Sequence, residues 1–148
     1  MNREKLEKLR QLCKSISVLY VEDDTHISEQ LEKLLKKIFL KIDVEKNGAL
    51  GLESFIKNNQ DIVITDISMP MLDGIEMSKR IRLLNPEQNI IVTSAHSDTE
   101  SLLSLIEIGV DKFILKPIDM GVLLETISRV AVNIYRAKKA LTCEYGED

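Results

Sequence analysis

Two apolar runs in this sequence end in carboxylates. In SISVLYVEDD, residues 15–24, a β-type run gives way to Glu22, Asp23 and Asp24; in DIVITDISMPMLDG, residues 61–74, Asp66 closes a second run and the following loop carries Pro70, Asp73 and Gly74. Two further runs end in groups that suit anions. NIIVTSAHSD offers a hydroxyl at Thr93 or Ser94, and KFILKP sets Lys116 between Leu115 and Pro117. Two carboxylates about 4 Å apart repel by about 4 kcal/mol at an effective dielectric near 20. Acids gathered in one place therefore either rise in pKa or share a cation. An all-oxygen donor set suits a hard ion such as Mg²⁺, and a lysine reaching over the strand ends would neutralise part of the cluster or pair with a bound anion. A carboxylate nucleophile, a metal, a hydroxyl and an ammonium together make a phosphoryl-transfer set. Each signal has an ordinary reading alone: Asp23 and Asp24 as surface acid and helix cap, Asp66 as a turn acid, the hydroxyls as turn formers, Lys116 as an exposed lysine. The chemistry rests on their combination.

That combination requires elements that bring four strand ends together. The sequence predicts strands at Ser17–Val21, Ile42–Lys46, Ile62–Thr65, Asn89–Thr93 and Lys112–Leu115, several of them near-continuous apolar runs of the kind buried on both faces of a parallel sheet. Helices are predicted between them. Ile27, Leu31, Leu34, Leu35, Ile38 and Phe39 share one helical face. A second helix covers about Ala49 to Lys57. A third follows Asp73–Gly74 and stops before Pro86. A fourth carries Leu102, Leu103, Leu105 and Ile106 and ends at Gly109. A fifth starts near Asp119, a natural N-cap, and carries Val122, Leu123, Ile127, Val130 and Ile134. Five strands alternating with five helices predict an α/β doubly wound sheet with right-handed crossovers. Ligands bind such sheets beyond the carboxyl ends of the strands. The first and third strands are neighbours in this arrangement, so Glu22, Asp23 and Asp66 should converge there.

The bulk numbers exclude other classes. The chain has 148 residues, 44% apolar and 30% charged, which suits one domain; its net charge of −4 argues against a basic nucleic-acid-binding face. No apolar run approaches the roughly 20 residues of a membrane helix. MNREKLEKLRQLCKS lacks the apolar core of a signal peptide, so a cytoplasmic location is expected. Cys13 and Cys143 have no CxxC spacing and read as two reduced thiols. Residues 1–14 form an N-terminal extension with Leu6, Leu9 and Leu12 among charges, either a short docking helix or a frayed end. Residues 136–148 read as a polar tail or linker.

At the level of whole motifs, VLYVEDD, DIVITDISMPMLDG, IIVTSAH and KFILKP resemble the receiver domain of two-component response regulators, over about residues 15–135. The resemblance implies a flavodoxin-like sheet of strand order 2-1-3-4-5, as in single-domain chemotaxis-type receivers. It implies that Asp66 is the phosphoacceptor, that Asp23 ligates Mg²⁺ directly and Glu22 through water, and that Ser68 gives its backbone carbonyl to the metal. Lys116 would pair with the phosphoryl group, and the spacing from Lys116 selects Ser94 over Thr93 as the switch hydroxyl. Phe113 would be the aromatic switch, and Lys116–Pro117 a cis peptide. Ser68 and His96 would flank the hydrolytic water. The implied partners are a sensor histidine kinase or phosphotransfer protein as donor, and a downstream target or a missing output domain. The face of the fourth helix, fifth strand and fifth helix is a possible homodimer surface.

Two departures from the usual pattern stand out: Glu22 where many receivers carry Asp, and Phe113 where a tyrosine hydroxyl is common. Two competing classes remain at this level. An Mg²⁺-dependent phosphatase with an aspartyl nucleophile would place a D-x-D pair on the first strand, where this chain has VEDDTH. A pseudo-receiver that binds partners without phosphorylation would lack a site residue.

Overall fold

The computed structural model describes residues 2–95 and 98–144, the last three by backbone alone. His96, the Cys143 side chain and the tail beyond Glu144 lie outside the described residues and side chains. The elements run α1 Arg3–Leu12, a 3₁₀ turn Cys13–Ser15, β1 Ser17–Val21, α2 Thr25–Lys36, β2 Lys41–Glu45, α3 Gly48–Asn58, β3 Ile62–Asp66, α4 Gly74–Leu84, β4 Asn89–Ser94, α5 Thr99–Ile108, β5 Lys112–Leu115 and α6 Met120–Glu144. The five strands form one parallel sheet in the order β2-β1-β3-β4-β5, which bears out the doubly wound arrangement.

Strand alternation divides the core in two. Val18, Tyr20, Ile62, Ile64 and Ile91 pack with α2 and α6 through Leu31, Leu35, Leu123, Ile127 and Val130. Leu19, Val21, Val63, Ile90 and Val92 pack on the opposite face with Phe55, Met77, Ile81 and Leu105 of α3, α4 and α5. Every residue of β3 is buried, as the run DIVIT requires of a central strand.

The helix boundaries follow from short polar side chains. Asn2, Asp24, Asn47, Asp73 and Asp98 each precede a helix and accept a hydrogen bond from a backbone N–H three residues on. Asp119 does the same for Gly121 and Val122 at the start of α6. The helix α4 stops at Leu84, ahead of Asn85 and Pro86. Gly109 ends α5 in the left-handed region at φ +78°.

The ends differ from the simplest reading. Residues 3–12 form an ordered helix, so among the described residues six α-helices flank the sheet where five were expected. Leu9 is 4% exposed and Cys13 fully buried, both in the core shared by α2 and α6. Burial pushes the Cys13 thiol up to about 12, so it stays protonated and inert. The last helix runs past Tyr135 to Glu144, because RAKKAL contains good helix formers and no breaker. Lys138 ties it to the body through the Ser15 carbonyl at 3.0 Å and Asp61 at 3.4 Å.

One structural side chain was not legible in the sequence. Arg82 on α4 donates to the carbonyls of Ile108, Gly109, Pro86 and Gln88 at 2.7–3.0 Å. It satisfies the open C-terminus of α5 and fastens the turn into β4.

If α1 is an integral layer, Leu9→Ala should cost about 2–4 kcal/mol in denaturant unfolding with an unchanged slope. A change below about 0.5 kcal/mol would mean that α1 is a frayed appendage.

Candidate functional site

Glu22 follows directly on β1, and its backbone N–H donates to the Glu45 carbonyl at 3.0 Å. Tyr20 lies opposite Ile64 in the β1–β3 register. Glu22 and Asp66, two residues further along each strand, therefore rise on the same face at the carboxyl edge. Glu22 is 2% and Asp66 6% exposed, while Asp23 faces solvent. One carboxylate oxygen from each of Glu22, Asp23 and Asp66 lies within 4.8 Å of the others. The donor set is entirely oxygen and suits a hard divalent ion. Asp24 is drawn away from this cluster: its carboxylate caps α2 on the Ile27 N–H at 3.1 Å.

Lys116 reaches the cluster from β5. Its Nζ donates to Glu22 Oε1 at 2.7 Å and lies 3.4 Å from Asp66 Oδ2. Its backbone N–H is held by the Ser94 carbonyl at 2.8 Å, and the Lys116–Pro117 peptide is cis. Burial pushes the Glu22 carboxyl up to about 7, with the charge of Asp66 adding to the rise and Lys116 opposing it. Burial alone would lower the Lys116 ammonium; the hydrogen bond to Glu22 and the charges of Asp66 and Glu22 outweigh it and raise the pKa. The ammonium thus remains charged inside the pocket.

Backbone geometry shapes the loop after Asp66. A Cβ on Gly74 would stand 1.9 Å from the Asp66 carbonyl oxygen, so only glycine lets α4 begin against the end of β3. The Gly74 N–H closes the loop onto the Ile67 carbonyl at 2.8 Å. Between them, the Leu72 N–H bonds Pro70 O at 2.8 Å across Met71, which has φ +71°. This is a γ-turn, a strained conformation for a side chain of that size. Ser68 stands exposed on the same loop. In DISMPMLDG the acids, proline and glycine announce a loop, whereas the turn at Met71 carries no local signal in residue type.

The two candidate hydroxyls separate by strand alternation. Thr93 pairs with Asp66 in the β3–β4 register, and Ser94 pairs with Leu115 in the β4–β5 register. Both are buried, and Thr93 Oγ1 has no hydrogen-bond partner among the described residues. Phe113 lies opposite Val92 and packs half-buried against the core on the α3, α4 and α5 side. Ser94, two residues beyond Val92 on β4, belongs to that face. Tyr20, whose residue type carries no sign of a place beside the site, lies fully buried on the face below Glu22, and its hydroxyl has no hydrogen-bond partner among the described residues.

The family profile described as "Response regulator receiver domain" matches residues 18–128. This chain belongs to that family. Among curated relatives, the response regulator ArlR of Staphylococcus haemolyticus is 33% identical over 116 residues, covering 77% of this chain and 52% of the relative. The receiver chain thus spans about half the length of that relative. Among solved structures, the N-terminal domain of an uncharacterised protein (WS1339) from Wolinella succinogenes is 35% identical with TM-score 0.74, covering 86% of this chain and 98% of that one. The CheX–CheY–BeF3–Mg²⁺ complex from Borrelia burgdorferi is 28% identical with TM-score 0.71, covering 78% and 88%. None of the described helices of the receiver is long and apolar enough to cross a membrane.

Two expectations follow from the site. Gly74→Ala should cost about 2–3 kcal/mol or more in denaturant unfolding, since the clash is with backbone. A stability equal to the parent's would show that the loop yields without strain. In the metal-free protein, Glu22 favours its protonated form in the fold relative to its ordinary value of 4.5. Its contribution to stability is therefore full below about pH 4.5 and lost as pH rises through about 7. Glu22→Gln should flatten the decline between about pH 5 and 8, read by thermal unfolding in EDTA. An unchanged profile would contradict the raised carboxyl.

Proposed function

We propose that Asp66 accepts a phosphoryl group from a phosphohistidine on a sensor histidine kinase or phosphotransfer protein, and that this switches a partner-binding face. The observation that carries the reading is the half-buried Lys116 ammonium between Glu22 and Asp66, at 2.7 and 3.4 Å, beside the open carboxylate of Asp23. The Mg²⁺ in the related Borrelia complex supports assigning that ion here. Glu22, Asp23, Asp66 and the Ser68 carbonyl would hold it. Bound there, it supplies positive charge against the transferring phosphoryl oxygens.

The residues divide the work. An Asp66 carboxylate oxygen attacks phosphorus in line, the acyl phosphate O–P bond forms, and the P–N bond to the donor imidazole breaks. The donor, already protonated on its other ring nitrogen, keeps the electron pair of the P–N bond and leaves as neutral histidine. Lys116, already aimed at Asp66, pairs with a phosphoryl oxygen and offsets the negative charge gathered there. Burial excludes bulk water and slows hydrolysis. Ser94 follows as a hydroxyl donor to the phosphoryl group. Its movement couples to Phe113, because both belong to the face packed on α3, α4 and α5. Phosphorylation then favours one of two arrangements of the α5–β5–α6 surface. That surface exposes Leu103, Ile106, Leu115 and Met120, which suits it to a downstream partner, an output module or a second copy. Water attack on the acyl phosphate resets the site.

Incubation with phosphoramidate and Mg²⁺, read by intact mass, should add one phosphoryl group to the parent and none to Asp66→Asn. Lys116→Ala should label poorly while keeping the fold. Full labelling of Asp66→Asn would remove Asp66 from the role. No labelling of the parent, with beryllofluoride also without effect, would favour a phosphorylation-independent binding module.

A further inference from the structure

Two buried hydroxyls that the phosphoryl-transfer chemistry leaves unused, those of Tyr20 and Thr93, lie on the face that carries the acid cluster. Thr93 stands opposite Asp66 in the β3–β4 register. Tyr20 stands opposite Ile64, two residues before Glu22 on β1, so it forms the row directly beneath the acids. Both residues are fully buried, and neither hydroxyl has a hydrogen-bond partner among the described residues. The core around Tyr20 on this side of the sheet is aliphatic, with Ile64, Ile91, Ile114, Leu31 and Leu123. Burial first, and then the charges of Glu22, Asp66 and Asp24, push the Tyr20 hydroxyl well above its ordinary range. It therefore stays protonated, a donor within reach of anionic fields. A buried hydroxyl without a partner has lost its hydration and recovered no bond. Phenylalanine and valine, of nearly the same shape, would suit the metal-free fold at least as well. The hydroxyls therefore call for partners in another state of the site. Lys116 supplies that state. In the metal-free protein its Nζ donates to Glu22 Oε1 at 2.7 Å, and the Glu22 side chain is closed to solvent. An ammonium that turns to a phosphoryl oxygen takes this donor from a buried carboxylate.

We propose that Tyr20 and Thr93 are positioning residues whose hydroxyls donate to Glu22 and Asp66, respectively, when Lys116 turns to a phosphoryl group, an inference that rests on the phosphoacceptor reading. Two neutral donors then take over from one ammonium. They hold the carboxylates in place while the lysine serves the phosphoryl oxygens. The metal-free fold bears two unpaired hydroxyls, and the loaded fold is relieved of both.

Tyr20→Phe and Thr93→Val each remove one hydroxyl with little change of shape. In EDTA both full-length variants should unfold thermally at or above the parent's temperature. In Mg²⁺, their affinity for beryllofluoride, which mimics a bound phosphoryl group, should fall by about tenfold. Ser78→Ala is the control: it removes another buried hydroxyl without a partner, on α4 against the opposite face of the sheet, and should bind beryllofluoride like the parent. A direct signature comes from protein labelled with ¹³C at the hydroxyl-bearing ring carbon of tyrosine. The Tyr20 signal, identified by its loss in Tyr20→Phe, should move when Mg²⁺ and beryllofluoride are added. A lower unfolding temperature in EDTA would mean that the missing hydroxyl was already bonded in the metal-free fold. Parent-like affinity would mean that it gains no partner in the loaded one. Either result removes that residue from the role, and an unmoved signal removes Tyr20. A parent that does not respond to beryllofluoride would overturn the phosphoacceptor reading and this one together. A parent that responds, with both variants matching it, would overturn this one alone.

Discussion

The constraint on which the rest depends is the mutual repulsion of Glu22, Asp23 and Asp66. Two of these carboxyls are nearly shut off from water, where like charges interact most strongly and hydration is lost. In the metal-free protein, the Lys116 ammonium at 2.7 Å from Glu22 is the one cation paired with them among the described residues. One ammonium does not balance three acids, and burial, with the charge of Asp66 adding to it, pushes the Glu22 carboxyl up despite Lys116. The cluster is therefore poised to gain a second cation. A divalent cation among these carboxylates would relieve their repulsion.

The fold serves this arrangement by direct means. Parallel strands bring all their carboxyl ends to one edge, so consecutive strand ends become neighbours in space. The order β2-β1-β3-β4-β5 sets Glu22 beside Asp66 and carries Thr93 and Ser94 next in line. The Lys116 side chain then crosses from β5 over the strand ends. Gly74 allows α4 to start against the Asp66 backbone, holding the acid at the end of a rigid strand. The Asp24 cap keeps a fourth carboxylate out of the pocket, which limits the repulsion to what one lysine can partly offset.

Much of this was legible in the residues. DIVIT and NIIVT are apolar along their whole length because both faces of the strands are covered, so they read as central parallel strands. Acids and a lysine directly after such runs had to lie at the carboxyl edge. Other features carry no local signature. That Lys116 prefers Glu22 to Asp66 depends on the path of a long side chain across two strands. Arg82 looks like any solvent-facing helical arginine, yet it satisfies the end of a helix 26 residues away in sequence. The docking of α1 rests on Leu9 and Cys13 meeting the α2 and α6 core, a tertiary contact that the pattern of three leucines leaves open. The continuation of α6 past Tyr135 was hidden by polarity, since lysines and alanines form helix as readily as they form a solvated tail.

Direct binding of Mg²⁺, measured by isothermal titration at pH 8 in the parent and in Asp23→Asn, tests the poised acid cluster most immediately. The account predicts saturable one-to-one binding in the parent and a loss of at least tenfold in the variant, whose fold should be intact because Asp23 is exposed. No binding by the parent, or equal binding by both proteins, would contradict the claim that these carboxylates are gathered to share a cation.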